Sequence, residues 1–217
     1  MSSPKIGFAI LSHRPPKQVF TKLLQYLKNL PGAVIGLHHD YSQSDFPQAI
    51  INEFDIKVVN PSMNTKWGHI SKVPATLEVF KLLYEQQPEL DWFVTVSPNC
   101  YAVKSHQYLL DFLKNTQYDV FMELMAIAPQ GHQAPVSHYT TLFSKHQFYL
   151  PFISRKGKFY MRDIRKAIDP ETTPFNSKLK PFTGSDWFIL NRKAMKAILD
   201  ADIPNHPAFH YLSLIHI

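Results

Sequence analysis

The sequence predicts an α/β fold, a largely parallel sheet covered by helices on both faces. Short apolar runs that read as buried strands recur along the chain. Segments with apolar residues at helical spacing separate them, and only a few polar residues lie between one element and the next, the alternation expected of β-α-β units. With 217 residues, 45% of them hydrophobic and 18% charged, the chain suffices for one globular domain with a substantial core, read as a single domain over 1–217.

Residues 5–12 (KIGFAILS) read as the first strand, and Val19, Leu23, Leu24 and Leu27 then recur at helical spacing until Pro31-Gly32 breaks the pattern. A second strand is expected at 33–38, a helical piece around 48–54 and a short strand at 56–59. Ser71 fits an N-cap and Pro74 the first helical turn; Val73, Leu77, Phe80 and Tyr84 form one apolar face, so 71–86 is predicted to be a helix on the sheet. Residues 91–97 (DWFVTVS) form the next strand, Ser105 caps a helix that turns Leu109, Phe112 and Leu113 inward, and 119–124 returns to the sheet. Runs of this kind predict parallel strands covered on both sides. Over 125–181 the periodicity fades among Pro129, Pro135, Pro151, Pro170, Pro174 and Pro181, and only 161–168 looks helical. Such a long irregular insert usually serves binding. A strand at 187–190 and a helix at 192–199 resume the regular pattern.

Composition removes several function classes. No run reaches the roughly 18 apolar residues of a membrane span, and residues 1–5 lack the apolar stretch of a signal peptide, so no integral membrane segment and a cytoplasmic location are expected. The lone Cys100 has no cysteine partner within the chain, and no Cys/His spacing resembles a zinc site. The net charge of +6 is concentrated: residues 155–180 hold eight basic against three acidic side chains, including Arg162, Arg165 and Lys166. Such a surplus suits an acidic or phosphorylated ligand, and a solvated charged face remains the plain alternative. No aromatic-interleaved RNA-binding motif or DNA-reading helix is present, so no nucleic-acid partner is expected.

Ligands of open α/β sheets sit beyond the carboxyl ends of the strands. The residues following the apolar runs are Ser12-His13, His38-His39-Asp40, Ser97-Pro98-Asn99-Cys100, Glu123 and Gly184-Ser185-Asp186. No G-x-G-x-x-G, Walker loop or G-x-S-x-G is present, which argues against dinucleotide, NTPase and α/β-hydrolase sites.

Specific strings are more informative. Ile10-Leu11-Ser12-His13 with Pro16, His38-His39-Asp40, Trp67-Gly68-His69-Ile70-Ser71, Ser97-x-x-x-Tyr101-x-x-Lys104-Ser105 and Gly184-Ser185-Asp186-Trp187-Phe188 with Asn191-Arg192 follow one another in order. Together they resemble the core-2/I-branching β-1,6-N-acetylglucosaminyltransferase family, which includes peptide O-xylosyltransferases. The resemblance spans about 5–199 and implies a GT-A-like, Rossmann-like nucleotide-sugar-binding sheet. It further implies inverting transfer from a UDP-sugar to a glycan or glycoprotein hydroxyl without a metal or other cofactor. A carboxylate would take the acceptor proton and basic side chains would stabilise the leaving diphosphate.

By that resemblance Ser12, His13, Asp40, Trp67, Gly68, Ser97, Asn99 and Cys100 would border the donor, with Asp40 at its uridine end. Glu123, Gly184, Ser185, Asp186 and Trp187 would face donor sugar and acceptor, and Arg162, Arg165 and Lys166 are the diphosphate candidates. Duller roles stay open: Asp40 starting a turn with Ser42, Trp67 as a core aromatic, Gly184 supplying tight backbone geometry. Glu123 ends an apolar strand, where a buried carboxylate needs partners. Cys100 stands where many relatives have an acidic residue and reads as a packed small residue, not a nucleophile. Asp200-Ala201-Asp202 falls at a helix end and reads as solvated loop, not a metal site.

The resemblance places the catalytic glutamate just beyond Ile217, and no glutamate follows Glu171. The terminal 212–217 run (LSLIHI) also resembles translated adaptor sequence. A truncated chain with little or no transfer is therefore expected. The alternative is a non-catalytic nucleotide- or glycan-binding protein derived from such a domain.

Overall fold

The computed structural model describes residues 3–65, 71–126, 141–142, 166–167 and 182–205. In chain order the elements are β1 (Ile6–Ser12), α1 (Gln18–Lys28), β2 (Ala33–His39), α2 (Gln48–Glu53), β3 (Lys57–Val58), α3 (Lys72–Gln86), β4 (Trp92–Val96), α4 (His106–Asn115) and β5 (Val120–Met122). The short strands β6 (Met125–Ala126), β7 (Thr141–Leu142), β8 (Lys166–Ala167) and β9 (Phe182–Thr183) follow, then β10 (Phe188–Asn191) and α5 (Arg192–Asp200). The chain divides into two compact units: Met1–Glu123 with Gly184–Pro204, and Leu124–Thr183 with Asn205–Ile217.

The first unit is built on a six-stranded sheet in the order β3-β2-β1-β4-β10-β5. Strands β1 to β4 run parallel, with Ser12 beside His39 and Ile10 beside Val96 at their carboxyl ends. The expected α/β class, with helices on both faces, is the architecture observed. Strict alternation along β1 sends Ile6, Phe8 and Ile10 to one face, against Phe20, Leu24 and Leu27 of α1 and Leu110 and Leu113 of α4. On the opposite face Ala9 and Phe93 meet Val79, Phe80 and Leu83 of α3 and Met195 of α5. Each fully buried aromatic or leucine among them stabilises the fold by about 1.5–3 kcal/mol.

Several helices are rotated from the faces read in the sequence. Phe20 is buried in α1 while Val19 is exposed, α3 buries Ala75, Val79, Phe80 and Leu83, and α4 buries Leu110 with Leu113. The phase of α3 is fixed by the sheet beneath it: a Cβ added at Gly36 would lie 2.7 Å from Val79 Cγ1, so the helix seats where the strand has no side chain. Ser71 makes no side-chain cap bond, whereas Ser105 Oγ accepts the Tyr108 N–H at 3.2 Å, as expected.

One strand runs against the others. β10 pairs antiparallel with both β4 and β5, a direction that the reading of 187–190 as a strand left open. A strand's composition reports its burial on both faces and not the end from which the chain enters the sheet. Asn191 and Arg192 lock this strand in place. Asn191 Oδ1 caps α5 by accepting the Ala194 N–H at 2.9 Å, and Arg192 donates to the carbonyls of Tyr84, Gln87 and Leu90 at the end of α3.

In the second unit β6 pairs antiparallel with β9, and β7 with β8. Residues 166–167, at the end of the segment read as helical, are therefore strand; the rest of 161–168 lies outside the described residues, apart from this pair.

Candidate functional site

The order β3-β2-β1-β4 places β1 between the strands on either side of a reversal in chain direction across the sheet, which opens a crevice at its carboxyl end. Ser12 and Asp40 meet there, the Asp40 N–H donating to the Ser12 carbonyl at 2.9 Å. Both are buried, Asp40 completely. His13 follows on the exposed rim, and its pKa is lowered by partial desolvation and by neighbouring Arg14, against the opposing pull of Asp40.

Asp40 survives as a buried carboxylate because its oxygens are surrounded by donors. Oδ1 accepts the Ser42 N–H at 3.0 Å and its hydroxyl at 2.6 Å. Oδ2 accepts from Gln43 Nε2 at 2.6 Å, the Thr65 N–H at 2.7 Å and Thr65 Oγ1 at 3.0 Å. Burial alone would raise the pKa, but these hydrogen bonds outweigh it and hold the carboxyl far below its ordinary value. The turn with Ser42 is thus present. Five donors occupy a carboxylate with about four lone-pair sites, so this side chain organises the crevice wall through the backbone it holds.

At the end of β4, residues 97–100 form a turn closed by the Cys100 N–H to the Ser97 carbonyl at 3.0 Å. The half-buried Cys100 thiol sulfur accepts the Ser97 N–H at 3.3 Å, and Ser97 Oγ accepts the Asn99 N–H at 3.2 Å. Thr95, two residues before Ser97, holds the incoming 184–187 segment: its hydroxyl accepts the Phe188 N–H at 2.9 Å and lies 3.1 Å from the Asp186 carbonyl. Lys72, at the start of α3, forms an ion pair with Asp186. Ser185 Oγ accepts the Trp187 N–H at 3.2 Å.

Because β10 is antiparallel, its first residues lie at the carboxyl ends of the parallel strands. One position beyond the Phe188–Met122 pair, Trp187 and Glu123 line a cavity of about 400 Å³ together with Val94, Thr95, Phe121, Met122, Phe188 and Ile189. Trp187 is 48% exposed, and Glu123, which stands one residue past the strand, is exposed as well. An exposed indole face, an indole N–H donor and a carboxylate acceptor form a combination that can bind a hydroxylated ring.

The structure therefore gathers Ser12, His13, Asp40, Ser97, Asn99, Cys100, Glu123, Gly184, Ser185, Asp186 and Trp187 along the carboxyl edge of one sheet. Trp67, Gly68, Arg162 and Arg165 lie outside the described residues, and Lys166 belongs to β8 in the second unit. Sequence reasoning missed Gln43, Thr65, Lys72 and Thr95, polar residues without a motif whose roles arise from contacts across the fold. Among the described residues no group of three or more His, Cys, Asp or Glu is placed to hold a metal ion, and no helix is long and apolar enough to cross a membrane.

A family model described as Core-2/I-Branching enzyme matches residues 6–213. The chain belongs to this family of glycosyltransferases, and its α/β sheet is covered by helices on both faces. No curated protein matches the chain in sequence. Similar solved structures include 4-diphosphocytidyl-2C-methyl-D-erythritol synthase from Anaerococcus prevotii DSM 20548, at 12% identity and TM-score 0.40, covering 93% of this chain and 77% of that one. Another is CMP:2-keto-3-deoxy-manno-octonic acid synthetase complexed with CTP, at 10% identity and TM-score 0.41, covering 94% and 80%.

Proposed function

We propose that this domain binds a UDP-sugar at the carboxyl edge of its sheet and serves inverting, metal-independent transfer of N-acetylglucosamine or xylose to a glycan or protein hydroxyl. The observation that carries the reading is convergence. Strings that are far apart in sequence, Ser12-His13, Asp40, Ser97–Cys100 and Gly184–Trp187, lie along one edge of one sheet in a chain of this family. In this reading Ser12, Asp40 and the 97–100 turn form the donor wall, and the cavity bearing Glu123 and Trp187 takes the sugars. The acceptor hydroxyl would attack the anomeric carbon as a carboxylate removes its proton, and cationic side chains would stabilise the departing UDP.

A second reading, binding without transfer, draws on the state of two carboxylates. Asp40 is saturated with protein donors, which leaves it no lone pair for a substrate proton, and Asp186 is engaged with Lys72. Calorimetric titration with UDP, with and without Mg²⁺ and with ADP as control, tests what both readings share. Selective, magnesium-independent UDP binding is the expected result; a folded chain that binds UDP no better than ADP overturns the donor site. Transfer of sugar from a UDP-sugar to an acceptor glycan then separates the enzyme from the binder.

A further inference from the structure

We propose that His38 is a positioning residue: its neutral imidazole and the Asp40 carboxylate together clasp the 63–65 segment onto the end of β2, and protonation of His38 opens the clasp. Strand alternation puts residues 38 and 40 on the same face of β2, with His39 on the other, where its ring meets Tyr41 and Phe46. The two side chains grip backbone positions that are also two residues apart. His38 Nε2 accepts the Met63 N–H at 3.0 Å, and Asp40 Oδ2 accepts the Thr65 N–H at 2.7 Å. Segment 59–65 leaves the sheet at Val59, whose N–H still bonds the Leu37 carbonyl at 2.9 Å, and these side chains continue the attachment beyond the last strand pair.

His38 is 1% exposed. Since Nε2 accepts, the ring proton sits on Nδ1, a buried atom with no hydrogen-bond partner. An apolar residue would fill this site without leaving such an atom, so packing alone does not account for a histidine here. Its acceptor nitrogen does, and that function is proton-sensitive: in an imidazolium both nitrogens donate, and the Met63 N–H would then face a second donor. Burial opposes the charged form most strongly. Asp40 just past β2, the ring's interaction with its own backbone and Glu78 on α3 favour it, and His39 disfavours it, leaving the pKa below the ordinary histidine value. The ring therefore stays neutral near neutral pH and titrates in acid. Met63 and Thr65 belong to the same short segment, so loss of the Met63 bond loosens one side of the Asp40 shell.

Amide hydrogen exchange of the full chain, followed at Met63 and Thr65 from about pH 8 to 5 and corrected for intrinsic exchange chemistry, tests the clasp. Met63 protection is expected to fall in acid by up to about tenfold per pH unit, the limit for one linked proton, with Thr65 following. Protection at the Ile10 and Phe93 amides of the core strands serves as the internal control and should fall less. His38→Gln is the conservative variant, because its Oε1 can accept the Met63 N–H without titrating, and it should flatten the Met63 profile. Met63 protection that does not vary with pH in the wild-type chain, a measurement that needs no variant, overturns the proposal. An undiminished pH dependence in folded His38→Gln does so as well. The extension to ligand affinity rests on the donor-site reading: UDP binding should weaken with the same midpoint as Met63 protection. If UDP fails to bind at every pH while Met63 protection falls in acid, the donor reading is lost and the clasp stands. If UDP binds while Met63 protection stays constant, the clasp alone is lost.

Discussion

Arg192 lays its guanidinium over the Tyr84 ring, 4.0 Å from the ring centroid, while donating to the Tyr84 carbonyl at 3.0 Å. One side chain at the start of α5 thus closes the end of α3, more than a hundred residues earlier in sequence. It satisfies the Tyr84 carbonyl, one of those a helix leaves unpaired at its C-terminus, and reaches the Gln87 and Leu90 carbonyls just beyond it.

Arg192→Ala should destabilise the domain by about 2–3 kcal/mol, since three carbonyls lose a charged donor and the stacked ring loses its partner. Arg192→Lys should recover less than half of that, because a single ammonium cannot reproduce the planar fork. Urea unfolding of the two variants checks both values; equal stability of Lys and Arg would mean that charge alone matters.

Gly36→Ala places a methyl group 2.7 Å from Val79 Cγ1 and 3.0 Å from Leu83 Cδ1. With little room for a β-branched valine to retreat, a loss of about 1–3 kcal/mol is expected, and a Val79→Ala change on the same chain should recover part of it. The thermal midpoints of the single and double variants measure the coupling.

Stability should decline as pH falls, in two stages. His38 has a folded pKa below its unfolded value, so below about pH 6.5 the unfolded chain takes up a proton that the folded chain refuses, and folding weakens. Asp40 adds a second stage: its depressed folded pKa contributes stability that is complete above the unfolded carboxylate value and is lost as pH drops below it. Asp40→Asn should remove most of the second stage and cost about 3 kcal/mol at neutral pH, because an amide presents donors where Gln43 and Thr65 already donate. Denaturant midpoints across the pH range check the sign: stability rising on acidification through pH 6.5 would contradict it.

Trp187→Ala removes a 48% exposed indole beside the Glu123 cavity. A stability change within about 1 kcal/mol is expected, while affinity for a UDP-sugar or acceptor glycan should fall roughly tenfold if the ring stacks on a sugar. Titration of the folded variant decides this; unchanged affinity for both ligands would remove Trp187 from the site.

Local pattern made much of the sheet legible. Apolar runs marked β1, β2 and β4, helical spacing marked α1, α3 and α4, and Ser105 marked a helix start that its hydroxyl does cap. The rule that ligands lie past the strand ends also singled out residues that the fold brings to one edge. The sequence was less informative about faces and partners. It could show that α3 has apolar positions but not that Gly36 would fix which of them turn inward, and it could place Asn191-Arg192 in a motif but not reveal a helix lock.

The sequence by itself determined the α/β class, the order of the elements in the six-stranded sheet and its helices, and the family, because apolar periodicity and motif strings are properties of neighbouring residues. Only the tertiary structure decided that β10 runs antiparallel, that Asp40 is filled by Ser42, Gln43 and Thr65, and that Lys72 meets Asp186. Those relations join groups up to 114 residues apart. They depend on which strands become neighbours, and the need to satisfy buried polar atoms then selects partners that no local pattern marks.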